Sequence, residues 1–304
     1  KYPVDLTAIV TMADDGGSTG RLRDEYGVLP PGDLRQCLVA LSASNGVMRE
    51  LFNHRYHKGE LAGHNFGNIF ISTLEQVTGS LDKALDVVGK VLNIKGRVVP
   101  VTLSKIKLVV ELTNGKIING EDALRNYHRV SKIGIRRIYL RPRGRANPKA
   151  LSALKAADII VVGPGHLYGS LIPNFLVPGI SKTFICAKAK KVYVANLMNK
   201  HGHTDNFTVQ DHLRTVERVI GKKDAFDVVI YNTKAPARAL LKKYAGEGEM
   251  VRYAKEEKKP TYKAIGANLL SERVAGLKKG DSLGWQRALI RHNADKVARV
   301  ISEL

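Results

Sequence analysis

Asp14 and Asp15 stand side by side ahead of Gly16, Gly17, Ser18, Thr19 and Gly20, with Arg21 and Arg23 just beyond. Paired carboxylates can hold a divalent cation such as Mg or accept sugar hydroxyls, and glycines let backbone N–H groups turn toward an anion. Two readings stand at this point: a loop for a sugar, ribose or metal-bridged phosphate, or a plain Asp-Gly-Gly turn before a capped helix. Further residues of the same chemical kind recur along the chain. Pro30-Pro31-Gly32-Asp33 is a turn in which Asp33 is expected to N-cap a helix from Leu34 to about Ser44, placing Arg35 in its first turn. Gly63, His64, Asn65, Gly67 and Asn68 precede an apolar helix ending near Gly79, small and amide residues suited to close approach of a ligand. Gly163-Pro164-Gly165, Asn196 and, near the last helix, Arg291 complete the set.

His201-Gly202-His203-Thr204-Asp205 offers imidazoles and a carboxylate, the usual ligands of a divalent metal. Histidines at i and i+2 in a loop share no helical face, however, and Thr204 or Asp205 as N-cap of a helix from Phe207 to Ile220 is the simpler reading. No GxSxG elbow supports a Ser-His-Asp nucleophile, so no catalytic residue is assigned.

These residues need strands and helices to bring them together. Leu6 to Met12, Asp158 to Val162, Val192 to Ala195 and Phe226 to Tyr231 are short apolar runs of the buried parallel type. Each is followed by a loop rich in Gly, Asp or Asn. The carboxyl ends of parallel strands share one edge, which is where open α/β sheets place ligands. Helical patterns alternate with the strands, including one of about 47–56, one opened by Asn147-Pro148 and one from about Asn293 to the end. Between about 98 and 120 the pattern changes to short strands with Asn114-Gly115 as a hairpin turn, which predicts a small antiparallel excursion without a catalytic role. Its continuation from Gly120 to Arg145 is expected to return to the main sheet. The fold class read here is α/β, a mostly parallel sheet flanked by helices in one domain over 1–304.

Composition sets outer bounds. In 304 residues, 44% hydrophobic and 25% charged, an ordinary globular core is available. No apolar run reaches the roughly 20 residues of a membrane span and no signal peptide opens the chain, so no membrane insertion and a cytoplasmic location are expected. Cys37 and Cys186 lack CxxC spacing and read as reduced core thiols. Lys and Arg number 49 against 28 Asp and Glu, a net charge of +21. Arg136, Arg137, Arg141, Arg143 and Arg145 form the densest run, around a strand at 136–140, and admit polyanion or nucleic-acid binding.

The segments ADDGGSTGRLRDE, LPPGDLRQCLVAL, AGHNFGN, LNIKGRVVPVTL, GPGHLYGSLIPNFLVPGI, NLMN and TDNFTVQDHL together resemble the gluconeogenesis-factor (YvcK-type) family, a sister group of the CofD-type 2-phospho-L-lactate transferases. The resemblance implies a Rossmann-like α/β fold that binds a UDP-sugar such as UDP-N-acetylglucosamine. It further implies a regulator that links gluconeogenic growth to cell-wall supply and cell shape, and not an established catalyst. It places ligand contacts on Asp14, Asp15, Gly16, Gly17, Ser18, Gly20 and Arg21, on Asp33 and Arg35, and on Gly163, Pro164, Gly165, Tyr168 and Asn174. Tyr244 and Arg291 are implied near the C-terminus. The alternative it carries is a Mg-dependent phosphotransferase of the phospholactate type. The family's opening strand and GGGTG-type loop are absent ahead of Lys1, which shifts the expected phosphate contacts onto Gly16–Arg21 and Gly163–Gly165. His166 occupies a place where the family usually has Ser. A homodimer is the default expectation for assembly.

Overall fold

The computed structural model describes residues 2–44, 46–254, 260–272 and 290–304. The chain opens with β1 (Thr7–Val10), then α1 (Gly17–Tyr26), α2 (Gly32–Leu41), α3 (Gly46–Asn53), α4 (Phe66–Thr78) and α5 (Leu81–Val91). Next come β2 (Arg97–Pro100), β3 (Lys107–Leu112), β4 (Ile117–Asn119), α6 (Glu121–Arg125), α7 (Val130–Ile133) and β5 (Ile135–Arg141). The second half runs α8 (Pro148–Ala156), β6 (Ile159–Val162), a π-helical turn (Leu167–Leu171), α9 (Ile172–Leu176), α10 (Ile180–Cys186) and β7 (Lys190–Val194). It ends with α11 (Val209–Ile220), β8 (Val228–Asn232), α12 (Arg238–Tyr244), β9 (Lys263–Ala267) and α13 (Ala294–Ser302).

Three sheets result among the described residues. β6, β7, β8 and β9 lie parallel in that order, β1 pairs in parallel with β2, and β4-β3-β5 is antiparallel. In the parallel sheet, alternate residues serve opposite faces. Val192, Val194, Val228 and Ile230 pack with Val297, Val300 and Ile301 of α13, whereas Tyr193 and Val229 enter the main core. That main core is continuous across the sheets, joining Val10 of β1, Val99 of β2, Val110 of β3, Val162 of β6 and Val229 of β8. Burial of apolar area on both sheet faces is the driving term for this arrangement.

Some local predictions hold. Asn147 caps α8 through Lys149 N–H at 3.0 Å, and the last helix starts at Asn293, which caps α13 through Lys296 N–H at 3.0 Å. Asn65, expected as a ligand contact, instead caps α4 through Asn68 N–H at 3.2 Å. Asn114-Gly115 does close the β3–β4 hairpin, with Gly115 at φ 83°. Others are corrected. β5 does not return to the parallel sheet; it pairs antiparallel with β3, because Leu140 and its neighbours complete the core under that hairpin. The 97–100 run belongs beside β1, not in the antiparallel excursion. Asp33 sits inside the first turn of α2, with Pro31 at the cap. α11 is capped by Thr208, whose hydroxyl accepts Asp211 N–H while Asp211 accepts Thr208 N–H, a reciprocal box that Thr204 and Asp205 lie too early to make. Cys37 is half-buried as a free thiol, but Cys186 is exposed, two residues past the buried Phe184 and hence off the inward face of α10. Among the described residues no helix is long and apolar enough to cross a membrane.

Candidate functional site

β1 leaves the sheet through buried Thr11, Met12 and Ala13 and delivers Asp14 to its carboxyl edge. Asp14 Oδ1 accepts Gly16 N–H at 3.0 Å, an Asx turn that starts α1 without any side-chain cap on its first N–H groups. The Asp14 carbonyl accepts from Arg23 Nη1 at 3.1 Å, and Arg23 Nη2 reaches the Ile106 carbonyl at 3.0 Å, tying the loop to the antiparallel segment. Gly32 packs against the other Asp14 oxygen; a Cβ there would lie 2.8 Å from Asp14 Oδ2 and inside Thr19 Oγ1. The loop before α2 therefore brings Asp33 beside Asp14.

Asp15 turns elsewhere. Its Oδ1 accepts Asp122 N–H at 2.9 Å, and its Oδ2 lies 4.0 Å from Lys107 Nζ. Gly120, at φ 102°, is pressed onto this carboxylate, where a Cβ would overlap Oδ2. The two neighbouring aspartates thus do not form the paired cradle their adjacency suggested. Among the described residues no group of three or more His, Cys, Asp or Glu side chains has a metal-site arrangement.

What joins Asp14 and Asp33 comes from the hairpin. Glu121, at the start of α6 and only 3% exposed, accepts from Arg125 Nη2 at 2.7 Å. Its other oxygen is 3.8 Å from Nδ1 of His166, on the Gly163–Gly165 loop's far end. Gly169 N–H donates to His166 Nδ1 at 3.1 Å, and His166 Nε2 lies 3.0 Å from His203 Nδ1. Burial holds both rings neutral, His166 down to about 3 and His203 down to about 4. With Nδ1 of His166 accepting, its proton sits on Nε2 and points to His203 Nδ1, which leaves the proton of His203 on its buried Nε2, an atom with no hydrogen-bond partner of good geometry among the described residues.

Three carboxyls lean on the guanidinium of Arg125, and Asp33 feels Arg35 as well. Burial pushes Asp33 up to about 6, with the Asp14 charge adding to it, and pushes Glu121 up to about 7 against the pull of Arg125. Asp14 is likewise raised by burial. Desolvation works against charge on Arg125 as well, but Glu121 and then Asp14 hold it above its ordinary range. Burial, with repulsion between the carboxylates adding to it, disfavours ionisation here, so the cluster holds protons near neutrality and favours hydroxyl donors or a cation.

Other expected contacts are bracing groups. Arg35 is buried and donates to Asn68 Oδ1 at 2.9 Å, Asn53 Oδ1 at 2.8 Å and the Phe52 carbonyl at 3.2 Å. Ser18 Oγ meets His64 Nδ1 and Asn68 Nδ2, each at 3.3 Å, locking α1 to α4. Asn196 is consumed in two bonds to the backbone of Gly165, at 3.3 and 2.8 Å, and Asn174 Nδ2 in a bond to the Ser170 carbonyl at 2.8 Å. Arg21 is exposed and donates to the Ala62 carbonyl at 3.1 Å. Gly17 and Pro164 are exposed, Gly16, Gly163 and Gly165 half-buried, and Gly20 is pressed onto the Asp15 carbonyl. Tyr168 faces away from the cluster, toward Arg218. Tyr244 is buried with Leu197 and Ile290, its phenol raised to about 12 by burial. Arg291 is exposed beside His292, whose ring abuts the Ala195 backbone at the end of β7. Arg137 and Arg141 both lie against the Tyr139 ring, at 5.3 and 5.8 Å, Arg136 pairs with Glu111 at 3.1 Å, Arg145 N–H bonds Ser104 Oγ at 3.1 Å, and Arg143 follows in the loop after β5; Arg136 and Arg137 also border a pocket.

Glu121, Arg125, His166 and His203 were not among the expected contacts. Glu121 and Arg125 carried no more signal than Gly120-Glu121-Asp122 at a helix start after a hairpin, whereas His166 stood out as a replacement for Ser and His203 as part of the His201–Asp205 metal reading.

Comparison with known proteins fits this architecture. The model of the family described as 2-phospho-L-lactate transferase CofD matches residues 1–271. A relative from Nostoc sp. (strain PCC 7120 / SAG 25.82 / UTEX 2576) is 40% identical, and the match covers 99% of this chain but 63% of that protein. The gluconeogenesis factor of Bacillus subtilis (strain 168) is 36% identical over 99% of this chain and 91% of its own length. The crystal structure of a UPF0052-family protein from Bacillus halodurans superimposes with a TM-score of 0.87 at 36% identity, covering 99% of this chain and 91% of that one. The chain therefore belongs to the CofD family, among relatives named gluconeogenesis factor.

Proposed function

We propose that this chain binds a nucleotide sugar of the UDP-N-acetylglucosamine type in the crevice of Asp14, Asp33 and Glu121. It acts there as a regulator that links carbon metabolism to cell-wall supply and cell shape in the cytoplasm. The observation that carries this reading is the meeting of two loops on one acid cluster. The uncapped start of α1 follows Asp14, and the Gly163–Gly165 loop ends in His166 opposite Glu121. A helix N-terminus favours phosphate. Carboxyls raised toward neutrality favour sugar or ribose hydroxyls, whose protons they accept without the full cost of a bare charge. The raised acids also give a specific reason to keep the phosphotransferase reading. In it, Asp14 and Asp33 hold a divalent cation, which neutralises charge on a phosphoryl leaving group.

Calorimetric titration with UDP-N-acetylglucosamine, with and without magnesium, separates the two. Saturable binding without release of nucleotide, weakened about tenfold in Asp14→Asn by loss of a carboxyl acceptor, supports the regulator. Magnesium-dependent release of nucleotide from the donor in the presence of a phosphate-accepting alcohol favours the transferase. No heat at millimolar ligand under either condition refutes both.

A further inference from the structure

On the far side of the π-helical turn from the acid crevice lies a pocket of about 400 Å³, walled by β5, α11, the π-helical turn and the start of α9. Four arginines line it from two elements: Arg136 and Arg137 of β5, and Arg214 and Arg218 of α11. The α11 pair is spaced i, i+4 and so lies on one helix face. Two of the four are partly spoken for, Arg136 by Glu111 at 3.1 Å and Arg214 by Asp211 at 2.8 Å. Arg137 lies against the Tyr139 ring at 5.3 Å, and among the described residues neither it nor Arg218 has a carboxylate in salt-bridge range. Tyr168 lines the pocket with its phenol pushed up to about 12 by burial, against the pull of Arg218. The remaining wall mixes apolar side chains, Ile138, Ile172 and Val219 among them, with Ser131, Thr215, His203 and the Asp211 carboxylate that pairs with Arg214.

We infer that this pocket is a second ligand site, built for a small organic phosphate whose phosphate group meets Arg137 and Arg218 and whose ring or apolar body lies on Ile138, Ile172 and Val219. Guanidiniums match the geometry of a phosphate dianion and desolvate more readily than ammonium groups. A cavity of this size takes one ring and its phosphate, not a strand of nucleic acid. The neutral Tyr168 hydroxyl adds a donor that needs no counter-charge.

Occupancy here has a route to the crevice. Tyr168 and His166 stand two residues apart at the π-helical turn, one toward each site, and His203 both lines the pocket and bonds His166 at 3.0 Å. π-helical turns of this kind recur at functional sites. The inference concerns a separate site and stands or falls independently of the nucleotide-sugar reading.

Titration of the chain with phenyl phosphate and with inorganic phosphate tests it. The expected result is one saturable site that takes phenyl phosphate about tenfold more tightly than inorganic phosphate, since about 60 Å² of buried apolar surface accounts for that ratio. Arg218→Ala and Arg137→Ala, both at exposed positions that the fold tolerates, should each weaken phenyl phosphate about tenfold. Asp33→Asn, in the crevice, should change it less than twofold. Equal affinity for the two phosphates, indifference to both arginine variants, or loss of binding in Asp33→Asn overturns the inference. So does a fall in solution molar mass in Arg218→Ala, which would mean that a second copy of the chain fills the groove.

Discussion

Replacing Glu121 by Gln keeps the shape of the side chain and removes only its ability to ionise. Burial raises Glu121 from its ordinary 4.5 to about 7, net of the attraction to Arg125. At about 1.4 kcal/mol per pH unit, the ionised form costs the folded state about 3 kcal/mol relative to the protonated form. The folded chain holds this proton over a range in which the unfolded chain has released it. The protonated group's advantage is complete below pH 4.5 and is lost as pH rises through about 7. Gln carries no such limb. His166 and His203, lowered to about 3 and 4, act in the opposite sense; their contribution is present above 6.5 and lost as pH falls through those values. Both proteins share that acid limb, so the difference between their curves isolates Glu121. Urea denaturation at pH 5 should find the two within about 1 kcal/mol, the scale of one traded hydrogen bond to Arg125. At pH 8 the variant should be more stable by up to about 3 kcal/mol, or about 6 °C in thermal midpoint at about 2 °C per kcal/mol for a chain of this size. Parallel curves, or a variant less stable at pH 8, would refute the description of Glu121 as a carboxyl that burial keeps from ionising.

Gly120→Ala forces a side chain into a φ of 102° and into the Asp15 carboxylate that accepts Asp122 N–H. A loss of about 3 kcal/mol is expected from backbone strain and the displaced bond, measured by urea midpoint; a loss below about 1 kcal/mol would mean that the loop yields freely. Arg35→Met leaves Asn68 Oδ1 and the Phe52 carbonyl without their buried donor. It should cost about 3 kcal/mol while leaving the nucleotide-sugar affinity of the folded protein within about twofold. A variant of normal stability that has lost affinity would return Arg35 to the ligand.

The residues that sequence reasoning placed well are those whose function is local. Asn147-Pro148 and Asn293 act within three residues of themselves, and Asn114-Gly115 closes its own hairpin. Asp14 was also legible, because a carboxylate after a buried strand lies at the sheet edge whatever the rest does. Polar residues with distant partners were not. His64, Asn68, Asn174, Asn196 and Arg35 have the chemistry of ligand contacts, yet their hydrogen bonds go to the protein itself. A side chain's type states what it can bond, and only packing states what it does bond.

By itself, then, the sequence determined the alternation of strands and helices, the Asn147 cap, the Asn114-Gly115 turn, and the arrival of Asp14 at a carboxyl edge, since these follow from periodicity and short-range hydrogen bonding. Tertiary structure decided that Asp15 turns away to the Gly120–Asp122 backbone and that β5 joins β3. It also set Glu121 beside His166 and His203, residues 45 and 82 positions further along the chain. Those neighbours meet because the hairpin, the π-helical turn and the loop after β7 are folded onto one core, and their electrostatics exist only once water has been excluded from among them.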